Sequence, residues 1–167
     1  TSEQGYKNLI KLSSLSYLKS KEMEEPSCEV KDLISNNEDL ILLTGNYYNF
    51  FGKLFYANKI KDFEKIITSL KSNFKDRLYL EIQRHGENDE KNFENHLLNC
   101  SKTLDIPLIA TQEVFYLNHD MYEAHDALTC IGEKKFIDDN SRFKYNNQHY
   151  LKKNEELLKL YSDIPEA

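Results

Sequence analysis

Leu78-Tyr79-Leu80-Glu81-Ile82-Gln83-Arg84-His85-Gly86 is the stretch that decides the fold. Apolar and polar residues alternate from Leu78 to Gln83, which predicts a strand, and the run breaks into a polar turn at Gly86. Two further runs flank it. Upstream, Leu40-Ile41-Leu42-Leu43-Thr44-Gly45 is short, continuously apolar and stopped by glycine, the pattern of a strand buried on both faces. Downstream, Pro107 opens Leu108-Ile109-Ala110-Thr111. Helical spacing fills the gaps between these runs. Ile60, Phe63, Ile66, Ile67, Leu70 and Phe74 form one apolar face before the central strand, behind an aromatic stretch. Phe93, Leu97, Leu98, Ser101 and Leu104 form another after it, with Asn88 placed to cap it. Met121, Ala124, Leu128 and Ile131 form a third. Three strands, at 40–44, 78–83 and 108–111, are thus each followed by a helix. Such connections make neighbouring strands parallel, so the fold class expected is α/β.

The flanks are less regular. Leu9, Ile10, Leu12, Leu15 and Leu18 predict a helix over residues 5–20, ending in a charged break at 21–25 that Pro26 closes. Ser27 is placed to cap a short helix carrying Val30, Leu33 and Ile34. Residues 132–150 are polar and irregular, and a short helix is expected near 154–161. The whole chain has 167 residues, 40% of them apolar and 30% charged, which is the composition of one globular domain. No apolar run approaches the roughly 18 residues of a bilayer-spanning helix. The start, Thr1-Ser2-Glu3-Gln4-Gly5, has no secretory pattern and no Met, and the end, Asp163-Ile164-Pro165-Glu166-Ala167, looks cut. An excised piece of a longer protein is the expectation.

Charge and cysteine narrow the function classes. The net charge is −6, and the basic residues are 19 Lys against 3 Arg, so nonspecific nucleic-acid binding by this chain alone is disfavoured. Lys59, Lys61, Lys65, Lys71 and Lys75 read as a solvated helix face interrupted by Asp62 and Glu64. Cys28, Cys100 and Cys130 form no CxxC pair and read as reduced thiols of a cytoplasmic protein, where a catalytic role would require a histidine nearby in space.

Ligands of parallel α/β folds gather at the C-terminal ends of the strands. Three segments lie there: Thr44-Gly45-Asn46, Gln83-Arg84-His85-Gly86 and Gln112-Glu113-Val114-Phe115. His85 and Glu113 are the two metal-ligand candidates among them, fewer than the three that a catalytic centre normally requires. His125 reads as a loop anchor acting through hydrogen bonds. His96 and His149 read as surface or packing residues, and the aromatics from Tyr47 to Tyr56 as packing. The chain has no phosphate-cradling glycine loop, no GxSxG and no HExxH.

Several segments in order carry a resemblance: Gly5-Tyr6-Lys7-Asn8-Leu9, Leu80-Glu81-Ile82-Gln83-Arg84-His85-Gly86, Ile106-Pro107-Leu108-Ile109-Ala110-Thr111, Tyr122-Glu123-Ala124-His125-Asp126-Ala127-Leu128, Tyr150-Leu151-Lys152 and Ser162-Asp163-Ile164-Pro165-Glu166-Ala167. Together they resemble the polymerase-and-histidinol-phosphatase (PHP) domain of the bacterial DNA polymerase III alpha subunit. The resemblance implies part of a distorted seven-stranded β/α barrel lacking its N-terminal strands. Residues 1–131 would be the later part of that domain, and 132–167 would lead towards the polymerase palm.

Active members of the family hold several metals with His, Asp and Glu. By the same resemblance, His85 matches a histidine of the family's Gln-x-His-Gly segment. A loop that normally carries a ligand Glu reads Asn46-Tyr47-Tyr48-Asn49-Phe50-Phe51, without an acid. The family's Asn-Asp-x-His reads Gln112-Glu113-Val114-Phe115, so Glu113 keeps a longer carboxylate and Phe115 offers no ligand. The implied function is a non-catalytic scaffold and docking domain of a replicative DNA-directed DNA polymerase, a nucleotidyltransferase of DNA replication. Its magnesium ions and the DNA itself would be handled by the parent's palm, no cofactor would bind this segment, and the proofreading exonuclease subunit would be its partner. The alternative is an active metal-dependent phosphoesterase, either a proofreading exonuclease or a pyrophosphatase.

Overall fold

The computed structural model describes residues 2–21 and 25–167. In chain order the elements are α1 (Glu3–Lys19), α2 (Val30–Ser35), β1 (Leu42–Leu43), α3 (Phe50–Tyr56), α4 (Ile60–Phe74), β2 (Leu78–Gln83), α5 (Glu90–Leu104), β3 (Leu108–Thr111), α6 (Tyr122–Glu133) and α7 (Asn154–Leu160). Residues 22–24 of the expected charged break lie outside the described residues.

The three strands form one parallel sheet in the order β1-β2-β3. Burial along β2 follows the alternation of its sequence: Leu78, Leu80 and Ile82 are fully buried, and Tyr79, Glu81 and Gln83 half-buried. The apolar side packs on α4 and α5, where Phe63, Ile67, Leu70, Phe74, Phe93 and Leu97 fill the core. The other side is polar at the strand ends. Gln83 donates to the Thr111 hydroxyl at 2.9 Å and to Glu81 at 3.0 Å, and the Gly45 N–H reaches Glu81 at 3.0 Å. One half of the sheet is thus a hydrophobic core, and the other a hydrogen-bonded floor beneath the strand ends.

Four local expectations need correction. The first strand is an edge strand of two residues, with Ile41 54% and Leu43 38% exposed, so it is not buried on both faces. An apolar run signals burial without saying by what, and among the described residues no strand pairs with its outer side. The N-cap of α2 is Glu29, in a capping box with Asp32, and not Ser27. The N-cap of α5 is Asp89, and not Asn88. The apolar stripe of α6 faces outward, with Leu128 and Ile131 exposed. That helix turns Asp126 and Cys130 inward because Asp126 is held by a two-pronged pair to Arg142, at 2.6 and 2.7 Å.

Candidate functional site

The loop after β2 is built around one carboxylate. Gly86 adopts φ +80, a conformation that favours glycine, and it lets successive backbone N–H groups point the same way. The N–H groups of His85 and Gly86 at 2.8 Å, and of Glu87 at 3.2 Å, all donate to the buried carboxylate of Glu90 in the first turn of α5. The His85 Nδ1 lies 3.1 Å from the same carboxylate. Burial pushes the Glu90 carboxyl up, but the His85 ring and these backbone groups outweigh it and hold it below its usual range.

His85 itself is buried at the end of β2. Its Nε2 accepts the Glu113 N–H at 3.2 Å, so the proton lies on Nδ1, facing Glu90. Both ring nitrogens are therefore committed to the scaffold. Its ring face is stacked on His149, with centroids 4.3 Å apart and planes 6° from parallel.

The stack continues. His149 packs on Phe115 at 5.1 Å, and Phe115 packs on His125 at 5.2 Å and 6°. Four rings from the ends of β2 and β3, from α6 and from the returning segment thus form one column, His85–His149–Phe115–His125. Tyr145 closes its side against Phe115, His125 and His149. The returning segment is pinned by the Asp126–Arg142 pair and by Asn146, whose amide donates to the His85 carbonyl at 2.8 Å. His149 is 3% exposed, and its Nδ1 has no hydrogen-bond partner, lying 3.6 Å from the nearer Glu113 oxygen. Burial, with His85 alongside, pushes its imidazole down to about 4, so it is neutral near neutral pH.

Of the residues singled out from sequence, His85 and Glu113 do come together, through a backbone N–H and not through a shared ligand. Asn46 is buried and spends its amide on the Gln83 side chain at 2.9 Å. The His125 ring anchors its surroundings by stacking, its Nδ1 being buried without a partner, while its carbonyl accepts the Thr129 hydroxyl at 3.1 Å. His96 lies 3.6 Å from the Cys100 sulfur, which supplies the neighbour a catalytic thiol would need. Burial, however, raises the Cys100 thiol and lowers the His96 imidazole, so the pair is a neutral core contact. Sequence reading missed Glu90, Asn146 and the placement of His149. An acid in the first turn of a helix after a Gly-containing loop is a signal for Glu90. Nothing local marks His149, which reaches the site only because the chain returns.

Among the described residues, the donors at the strand ends are largely engaged by the fold itself. The lone pairs of His85 are spent, Phe115 fills the middle of the ring column with hydrocarbon, and Asn46 offers an amide already bonded. Among the described residues, no group of three or more His, Cys, Asp or Glu converges as a metal site.

A model of the PHP domain matches residues 1–85. Over 165 residues the chain is 38% identical to the DNA polymerase III subunit alpha of Caulobacter vibrioides (strain NA1000 / CB15N), covering 99% of this chain and 14% of that protein. It is 36% identical over 166 residues to the protein of that name from Borreliella burgdorferi, again covering 99% and 14%. Against the Vibrio cholerae protein it is 32% identical over 164 residues, covering 98% and 14%. The chain therefore spans about 14% of the length of these curated relatives.

Proposed function

The chain belongs to the PHP domain family, and from that premise we propose that it is a segment of a DNA polymerase III alpha subunit serving as a non-catalytic scaffold. Near end-to-end similarity to alpha subunits supports the parentage. The parent would carry out template-directed DNA synthesis in the cytoplasm, with its magnesium ions and DNA engaged by the palm outside this segment. Residues 1–131 would form the later part of the PHP domain, and 132–167 the connection onward. No helix among the described residues is long and apolar enough to cross a membrane.

One observation carries the scaffold reading: the place where a metal-binding histidine would be useful is occupied by Phe115, stacked between His149 and His125. A phosphoesterase needs ligands that fix a metal and leave it open to water and substrate. Here His85 has one ring nitrogen facing Glu90 and the other accepting the Glu113 N–H, while the Glu113 carboxylate lies 3.6 Å from the His149 ring. His85 and Glu113 are best understood as former ligand positions put to structural use. The proofreading exonuclease subunit is the partner we assign, with exposed aromatic side chains such as Tyr48 and Phe143 available as anchors.

The test is metal content by mass spectrometry on the complete polypeptide, purified without chelators, followed by a phosphoesterase assay. Substoichiometric zinc and manganese with no hydrolysis is the expected result. Stoichiometric metal accompanied by hydrolysis would establish the active phosphoesterase instead.

A further inference from the structure

Four residues bearing full charges are buried among the described residues: Glu90, Glu94, Asp126 and Lys152. Three have partners that account for them. Glu90 collects the N–H groups of its loop, Glu94 takes Arg84 at 2.7 and 2.8 Å with Lys91 beside it, and Asp126 takes Arg142. Among the described residues, Lys152 has no carboxylate in ion-pair contact. Its ammonium donates to the Gln148 carbonyl and lies 4.6 Å from the centroid of the Tyr150 ring. The nearby acid of α7, Glu156, is already bonded to the Tyr150 hydroxyl and the Lys153 N–H, both at 2.9 Å.

Lys152 is nonetheless reachable. It lines a cavity of about 390 Å³ together with His85, Gly86, Glu90, Gln148 and Leu160, and also a second recess of about 490 Å³ beside Tyr150 and Glu156. An amine without an ion-pair contact, buried in the wall of an open cavity, is held in a setting that favours its neutral, nucleophilic form. We propose that Lys152 is a reactive amine that accepts an acyl group from an activated donor, an acyl phosphate or an acyl thioester, entering the cavity beside Gly86.

The step balances simply. The Nζ lone pair attacks the acyl carbon, the C–N bond forms, and the bond from that carbon to phosphate oxygen or thiolate sulfur breaks. Its electron pair leaves with the phosphate or thiolate, and the surplus amine proton passes to water. The product amide keeps one N–H for the Gln148 carbonyl and no longer places an unpaired charge in the interior. Burial also pushes the Lys152 ammonium below the usual lysine range, against the opposing pull of Glu156 and Glu90, while His149 beside it is neutral near neutral pH.

The experiment treats the complete protein with acetyl phosphate in one arm and acetyl-coenzyme A in the other. Peptide mass spectrometry follows Lys152, with the adjacent exposed Lys153 as internal reference. At about pH 7, Lys152 is expected to be acetylated at least about threefold faster than Lys153 in one arm or both, with the gap closing towards about pH 10. The arm that reacts identifies the donor class. A rate for Lys152 equal to or below that of Lys153 in both arms overturns the proposal. Lys152→Met gives a second readout: losing an unpaired buried charge should leave Tm unchanged or raised. A marked fall in Tm would mean that the ammonium is compensated, and would overturn the proposal as well.

Discussion

Glu90 does at residue scale what a bound anion would do at a loop of this kind: it gives three convergent N–H groups something to point at. Glu90→Ala should therefore cost about 2–3 kcal/mol in a denaturant titration, because it strands buried donors as well as removing bonds, and Glu90→Gln should cost less. His149 supplies a pH dependence. Its folded imidazole titrates near 4 against an ordinary 6.5, so between those values the unfolded chain takes up a proton that the folded chain refuses. Its contribution is a loss of stability as pH falls from 6.5 to about 4, and no change above that window. His149→Phe, which keeps a ring in the column, should flatten the profile there when thermal melts are compared with wild type. Little of this could be read from sequence. His85 and Glu113 were visible as strand-end residues, but stacking depends on which ring returns to which, and 64 positions separate His85 from His149.

Elements were far more legible than side-chain partnerships. Strands β2 and β3 occupy the residues that alternation and the flanking breakers indicate, and α4 buries Phe63, Ile67, Leu70 and Phe74 from its apolar face. What failed was the reading of faces whose partner is a charge. In α6 the apolar stripe lost to Asp126, because a buried two-pronged ion pair fixes helix rotation more firmly than a few exposed aliphatic groups. The caps failed for a related reason: several polar residues stood in a row, and backbone geometry chose among them. A sharper constraint appears in α3, where the helix passes close to the preceding turn. A Cβ at Gly52 would stand 2.0 Å from the Tyr47 carbonyl oxygen. Gly52→Ala should therefore destabilise the chain by about 1–3 kcal/mol in chemical denaturation and shift the packing of Tyr47.

Across the whole molecule, Arg84 is the bolt. From the end of the central strand it reaches Glu94 on α5, the Leu160 carbonyl at 2.6 Å and Asp163 at 2.6 and 2.9 Å, and it lies 5.0 Å from the centroid of the Tyr161 ring. Tyr161 adds a hydroxyl donated to the Thr111 carbonyl at 3.1 Å. Arg84→Ala should release residues 159–167 while leaving the sheet intact, read as faster tryptic cleavage at Lys159 with little change in far-ultraviolet dichroism. The same arrangement has a mechanical meaning. A pull applied beyond Ala167 would not unwind α7 first, because the load passes through Asp163 and Arg84 into β2, the strand hydrogen-bonded on both sides. Residues 159–167 are thus a fixture and not a tether, able to hand torque or tension to the stiffest part of the sheet without lost motion.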